Sequence, residues 1–161
     1  MAEDYLEQLR QGSTALQGVL GALIEAERHF APPATPLERL QQITTSAEWA
    51  WLQPLTRLIA DLDHALAYAS DLPASEAAAI GAHARELLGG TGTPVETGFF
   101  EHYRALLQGD PGVAMAHADA LRALRGLPKE SDNTAERLHA RHQWNERRRF
   151  LRLAPRGREK S

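Results

Sequence analysis

A helix-start pattern that recurs along the chain constrains its fold most strongly. Thr35-Pro36-Leu37-Glu38 and Thr93-Pro94-Val95-Glu96 each place threonine at the N-cap, proline at the first helical position and glutamate at the third. The threonine oxygen and the glutamate carboxylate satisfy backbone N–H groups that lack a helical acceptor, and proline has no N–H to satisfy. Asp110-Pro111 and Asn133-Thr134-Ala135-Glu136 are related starts. The pattern predicts successive helices joined by short loops.

Between these starts, apolar residues recur at helical spacing, and no stretch alternates as a strand would. The spacing predicts helices over about 4–31, 36–43, 46–70, 74–88, 94–108, 111–125 and 134–153. Pro54 lies inside the third of these helices, so it predicts a kink there or the true start of the helix. We therefore expect an all-α fold, a single antiparallel helical bundle of five to six helices with a basic C-terminal helix.

Composition narrows the class of protein further. The 161 residues suit one domain, and 27 alanines with few aromatic residues predict a core of leucine and alanine. The absence of cysteine excludes disulfides, thiolate zinc sites and cysteine nucleophiles. The N-terminus does not resemble a signal peptide, and no apolar run approaches the roughly 18 residues of a membrane span. These features predict a cytoplasmic protein.

Charge is divided unevenly along the chain. Residues 1–136 contain 9 basic and 19 acidic residues, whereas residues 137–161 contain 9 basic and 2 acidic residues. We predict an acidic helical bundle over residues 1–128, followed by a basic C-terminal helix and disordered tail over residues 129–161. A basic segment of this kind binds an anionic partner or folds back on the acidic body.

The C-terminal helix carries a narrow seam of Ala140, Trp144 and Leu151 among its arginines. Exposed ion pairs contribute little, so docking of this helix should depend on the seam. We expect Trp144 to be buried, in its own chain or at a subunit interface, while Arg147 to Arg149 reach solvent. Trp49 lies off the apolar stripe of its helix and is a candidate contact. The predicted partner-contact residues are Trp49, Arg141, Trp144, Arg147, Arg148, Arg149 and Leu151.

Three ionisable residues fall on apolar helix faces, namely Glu27, His83 and His117. A buried ionisable group must be paired or neutral. If the three side chains converge, they form a metal site. The alternative is that each of the three side chains has its own hydrogen-bond partner in the core or at its edge. His102 also lies at such an edge. We expect the three residues to lie apart in this way.

Glutamate–histidine spacing typical of di-metal bundles occurs at Glu136 and His139, and Asp61 and His64 imitate it. The helical phase contradicts a di-metal site, because it predicts that His64 faces solvent. The chain also lacks the Gly-x-Ser-x-Gly and phosphate-loop motifs of hydrolases.

Without a catalytic motif, the leading hypothesis is a non-enzymatic interaction or regulatory protein that self-associates and uses its basic C-terminal helix as a contact element. The predicted partner is another protein or a second copy of the chain, and no cofactor is expected. One alternative is a metal- or cofactor-binding bundle. A second alternative is nucleic-acid binding through the C-terminal helix, although the acidic body opposes it. A membrane surface is the least favoured partner.

Overall fold

A computed structural model describes residues 2–30, 37, 47–68 and 71–153, and within them the chain is all-helical, as predicted. The helices are α1 (Ala2–Phe30), a 3-10 helix (Ala47–Leu52), α2 (Gln53–Tyr68), α3 (Ala74–Gly89), α4 (Pro94–Gly109), α5 (Pro111–Arg125) and α6 (Thr134–Leu153). These described residues contain no strand, and none of their helices is both long and apolar enough to cross a membrane. The helix predicted at 36–43 lies outside the described residues except for Leu37.

Side-chain caps set the predicted helix starts. Glu96 donates its backbone N–H to the Thr93 hydroxyl, and the Glu96 carboxylate accepts from the Thr93 N–H at 3.1 Å. The Asp110 carboxylate accepts from the backbone at the start of α5. The Asn133 side chain accepts from the Glu136 N–H at 3.1 Å at the start of α6. At the other end of α3, Gly90 adopts the left-handed conformation (φ 77°), which terminates that helix.

One predicted helix proved to be two elements. The pattern predicted a single helix over 46–70, but a 3-10 helix ends at Leu52 and α2 begins at Gln53. Pro54 therefore lies in the first turn of α2, where its missing N–H breaks no helical hydrogen bond. The alternative that Pro54 marks the true start of the α-helix is confirmed.

Helix α3 lies at the centre of the fold and contacts every other α-helix. It is buried on most of its sides, and alanine supplies much of that buried surface. Helices α1 and α5 form the most extensive helix pair, and α6 packs mainly against α3 and also against α2. The core is largely leucine and alanine, as predicted, and its bulkiest members are Phe99, Tyr103 and Trp144.

Candidate functional site

Trp144 anchors α6 on the body of the protein. Its side chain is only 2% exposed, and Ala140, one turn earlier, is also buried. The guanidinium carbon of Arg148 lies 5.6 Å from the centre of the Trp144 ring, within the range of a cation–π interaction. The prediction that Trp144 is buried is confirmed, and its burial is within its own chain.

Arginines beside Trp144 bind two carboxylates on the body. Arg148 and Arg152 each donate to Asp61 of α2 at 2.7 Å. Arg147 donates to Glu76 in the first turn of α3. Asp61 and Glu76 are both 3% exposed. A buried carboxylate needs a hydrogen-bonded cation to offset its desolvation. The inner face of α6, which we define as Ala140, Arg141, Trp144, Arg147 and Arg148, supplies most of these cations.

Arg141 joins α6 to two further parts of the chain. It donates two hydrogen bonds of 2.7 Å to Glu130 in the linker before α6. A guanidinium nitrogen of Arg141 also lies 2.8 Å from a carboxylate oxygen of Glu86 in α3. The hydrogen bonds that Arg141 donates lower the pKa of Glu130, and donation to Glu130 and Glu86 raises the pKa of Arg141. Both shifts favour the ionised pair that holds the start of α6 in place.

His83 lies at the centre of the docking site and links α3, α4 and α6. Its Nδ1 is 3.3 Å from the Trp144 indole nitrogen and 3.3 Å from an Arg148 nitrogen. Its Nε2 is 2.6 Å from a carboxylate oxygen of Glu96. Indole and guanidinium groups only donate, so Nδ1 must accept, whereas the Glu96 carboxylate accepts from Nε2–H. The surroundings therefore select the neutral Nε2–H tautomer of His83.

Glu96 has two structural roles at this site. One of its oxygens caps α4 and the other accepts from His83. The hydrogen bond from His83 is the largest cause of a lowered pKa for Glu96, and burial opposes it. The start of α4 and the docked face of α6 are thereby coupled through one imidazole ring.

The other two predicted metal ligands have different partners. Glu27 of α1 accepts from His102 Nε2 at 2.6 Å, and the His102 ring stacks on Trp51 with ring centres 4.0 Å apart. His117 of α5 lies with its Nδ1 2.5 Å from the Tyr103 hydroxyl. Burial lowers the pKa of His117 and raises that of Tyr103, so both side chains favour their neutral forms.

Glu27, His83 and His117 thus belong to three separate polar contacts. Within the described parts of the chain, no group of three or more His, Asp or Glu side chains has the arrangement needed to hold a metal ion. The metal-site hypothesis rests on the sequence pattern alone. The separately satisfied arrangement that we favoured agrees with the contacts of each residue.

The two di-metal spacings have structural explanations. His64 is exposed, as its helical phase predicted. Asp61 is buried and accepts hydrogen bonds from Arg148 and Arg152 of α6. Glu136 accepts from the Ser131 hydroxyl at 2.7 Å in the first turn of α6, while His139 is exposed.

The predicted partner-contact residues fall into two groups. Arg141, Trp144, Arg147 and Arg148 contact the body of their own chain. Arg149 is exposed, and one of its guanidinium nitrogens lies 3.7 Å from a carboxylate oxygen of Glu146. The side chains of Trp49 and Leu151, and the predicted disordered tail from residue 154, lie outside the described residues. Arg147 and Arg148 keep part of their surface in solvent, as expected.

Sequence reasoning missed Asp61 and Glu76 as docking residues, although a signal was present. Asp61 follows Leu58 by three residues, and Glu76 precedes Ile80 by four, so both lie in phase with apolar neighbours. A carboxylate on an apolar stripe predicts a buried cation partner, and a surplus of arginine occurs in α6.

Comparison with known proteins gives no match to any family model, curated protein or solved structure.

Proposed function

We propose that this chain is a cytoplasmic, non-enzymatic interaction protein that self-associates through the outer face of α6. We define that face as Leu138, His142, Glu146, Arg149 and Phe150. The observation that carries the proposal is the exposure of two large apolar side chains, Phe150 at 72% and Leu138 at 59%. The inner face already docks α6 on the body, so these two exposed side chains are available to a second molecule. Exposed aromatic and apolar residues on an ordered helix are typical of interaction surfaces.

The order of residues on this face favours a second copy of the chain as the partner. A two-fold interface is isologous, so an antiparallel pair of identical helices brings together residues equidistant from its centre. About position 144, Leu138 and Phe150 are equidistant, and so are His142 and Glu146. A crossed antiparallel α6 pair would therefore match apolar with apolar residues and imidazole with carboxylate.

The ion pairs that α6 forms within its own chain weaken the nucleic-acid alternative. Phosphate binding requires arginines that are free to replace counterions. Arg141, Arg147, Arg148 and Arg152 instead bind carboxylates of the same chain. Much of the basic charge that suggested an anionic polymer is thus neutralised within the molecule, which supports a protein partner.

The proposal is tested by sedimentation velocity over a concentration series from about 1 to 500 μM. One helix face is small, so we expect a transient interface and a weak dimer, with the weight-average mass rising across the series. A mass that stays monomeric up to the highest concentration would contradict self-association.

A reciprocal charge swap tests the residue pairing itself. Leu138→Glu and Phe150→Lys should each weaken the dimer by about tenfold or more, since each removes an apolar contact from both copies. The double variant should recover part of the loss, because the new Glu and Lys face each other across the two-fold axis. Within one helix these positions are about 18 Å apart, so they cannot pair in the monomer.

The matched control for this swap is Met115→Lys on α5. Met115 is 69% exposed, comparable to Phe150, but lies on another helix. We expect this variant to dimerise like the original chain. If both single variants weaken the dimer and the double variant does not recover, α6 contacts a different surface of the second copy.

A further inference from the structure

A cavity of about 400 Å³ lies between the first turns of α3, the linker before α6 and the first turns of α6. Its volume falls within the range of small-molecule sites in proteins. Apolar atoms dominate the lining, contributed in part by Ala78, Pro128 and Ala140. The cavity therefore offers an apolar floor, and its polar groups determine which class of ligand fits.

The carboxylates of the lining already have partners. Glu130 is held by Arg141, and Glu136 accepts from the Ser131 hydroxyl. The cations are less satisfied. Arg137 is half-buried and donates one hydrogen bond of 3.3 Å, to the backbone carbonyl of Ser131.

Lys129 is exposed at the rim of the same cavity. Neither Lys129 nor Arg137 forms an ion pair within the part of the chain that the structure describes. Two cations that form no ion pair therefore border an apolar floor. The charge of Arg137 also acts on Glu130 at longer range, where it contributes to the lowered pKa of that carboxyl. A guanidinium and an ammonium beside an apolar floor are complementary to a small amphipathic anion.

We propose that this cavity binds a small organic acid, a monocarboxylate with a compact apolar body. The guanidinium of Arg137 and the ammonium of Lys129 bind the carboxylate, and the apolar body lies against Ala78, Pro128 and Ala140. A neutral ligand would leave the cations unpaired. A cationic ligand would lie beside these two cations, and the carboxylates of the lining that could attract it are already bound by Arg141 and by the Ser131 hydroxyl. Binding does not depend on self-association, because the cavity requires one chain only.

The test uses three probes of matched shape, namely phenylacetate, 2-phenylethanol and phenethylammonium, titrated into the ¹⁵N-labelled full chain at pH 7. We expect saturable shifts of the Ser75, Ala78 and Ala140 amides with phenylacetate, with a dissociation constant of about 1 mM or below. The neutral probe should bind about tenfold more weakly or worse, because it lacks charge-assisted hydrogen bonds. The cationic probe should not saturate these amides.

Two variants locate the carboxylate. Arg137→Gln should weaken phenylacetate binding by about tenfold. Lys129→Gln, at an exposed position that cannot disturb the fold, should weaken it by a smaller factor. The control is Arg104→Gln, which removes an exposed arginine of α4 outside the cavity and should leave the affinity unchanged.

Three results would overturn the proposal. One is the absence of saturable shifts at these amides, and another is equal affinity for the acid and the alcohol. The third is a markedly higher affinity for an acetylated tetrapeptide with a free C-terminal carboxylate, which would identify the cavity as a peptide-terminus site. The Phe150→Lys variant should bind phenylacetate as the original chain does. This result would show that ligand binding and dimerisation can fail independently.

Discussion

The two principal helix interfaces of this protein are built differently. Between α1 and α5, apolar side chains pack directly, and Gly12 of α1 lies against Leu124 of α5. Leu9, Leu16 and Val113 are fully buried on these helices. Between α6 and the body, one tryptophan is buried and arginines surround it, paired with carboxylates.

The comparison shows two ways of attaching a helix. Apolar burial is non-directional, so the α1–α5 interface depends on volume and is indifferent to pH. The attachment of α6 depends on ionised groups in specific positions, because an unpaired buried charge is costly. Helix α6 should therefore be the part of the molecule that separates first under conditions that alter charge.

The largest expected effect comes from removing Trp144, the large side chain that α6 buries against the body. Trp144→Ala should destabilise the docked helix by about 3–5 kcal/mol, through lost burial and the cavity that remains. Amide hydrogen exchange should accelerate across residues 134–153 while α1 stays protected. Leu16→Ala, at about 2–5 kcal/mol, should instead lower protection throughout the fold. Uniform loss of protection in Trp144→Ala would show that α6 is not a separable unit.

The control for Trp144 is Phe150→Ala on the opposite side of the same helix. Its side chain is exposed in the single chain, so the free energy of unfolding measured by urea titration at low protein concentration should change by no more than about 0.5 kcal/mol.

An intermediate effect is expected from the carboxylate that binds two arginines. Asp61→Asn keeps the shape but removes the charge, leaving Arg148 and Arg152 without their anion. We expect a loss of about 2 kcal/mol in urea unfolding, less than for a fully buried pair because both arginines reach solvent. Asp119→Asn, in the exposed pair with Arg122, should change stability by about 0–1 kcal/mol. Equal effects at the two positions would contradict the distinction between the interfaces.

Acidification should produce a smaller, graded effect. Glu96 and Glu130 have lowered pKa values in the fold, so their contribution is present above the ordinary value of 4.5 and is lost as the pH falls. The pKa of His117 is also lowered in the fold, so its contribution to stability is present above the ordinary value of 6.5 and is lost as the pH falls below that value. The melting temperature should therefore decrease from pH 7 to pH 4, with α6 amides losing protection in the lower part of this range, where Glu96 and Glu130 become protonated.

A matched variant separates the contribution of Glu130 to this pH dependence. Glu130→Gln removes the titrating group that Arg141 binds, so its melting temperature should fall less steeply between pH 5 and pH 4. An unchanged slope in this variant would show that the Arg141 contact does not govern acid sensitivity.

Local chemistry explains why helix positions were predictable. The caps at Thr93, Asp110 and Asn133 depend on residues within four positions of each other, so the sequence contains the complete signal. The 3-10 helix before Gln53 was not predicted, since periodicity does not distinguish a 3-10 turn from the first turn of an α-helix. The burial of Trp144 also followed from the pattern, because Trp144 lies on the apolar seam of α6 with Ala140.

The sequence by itself determined the helices, the division of charge and which faces are apolar, because each depends on neighbours along the chain. It did not determine the partners of the polar groups. Asp61 binds Arg148, which lies 87 positions later in the sequence, and His83 contacts Trp144, which lies 61 positions later. A helical pattern states that a charged group is buried but not which cation reaches it. Only the packing of α6 on α2 and α3 decided that the basic helix neutralises buried carboxylates of its own chain.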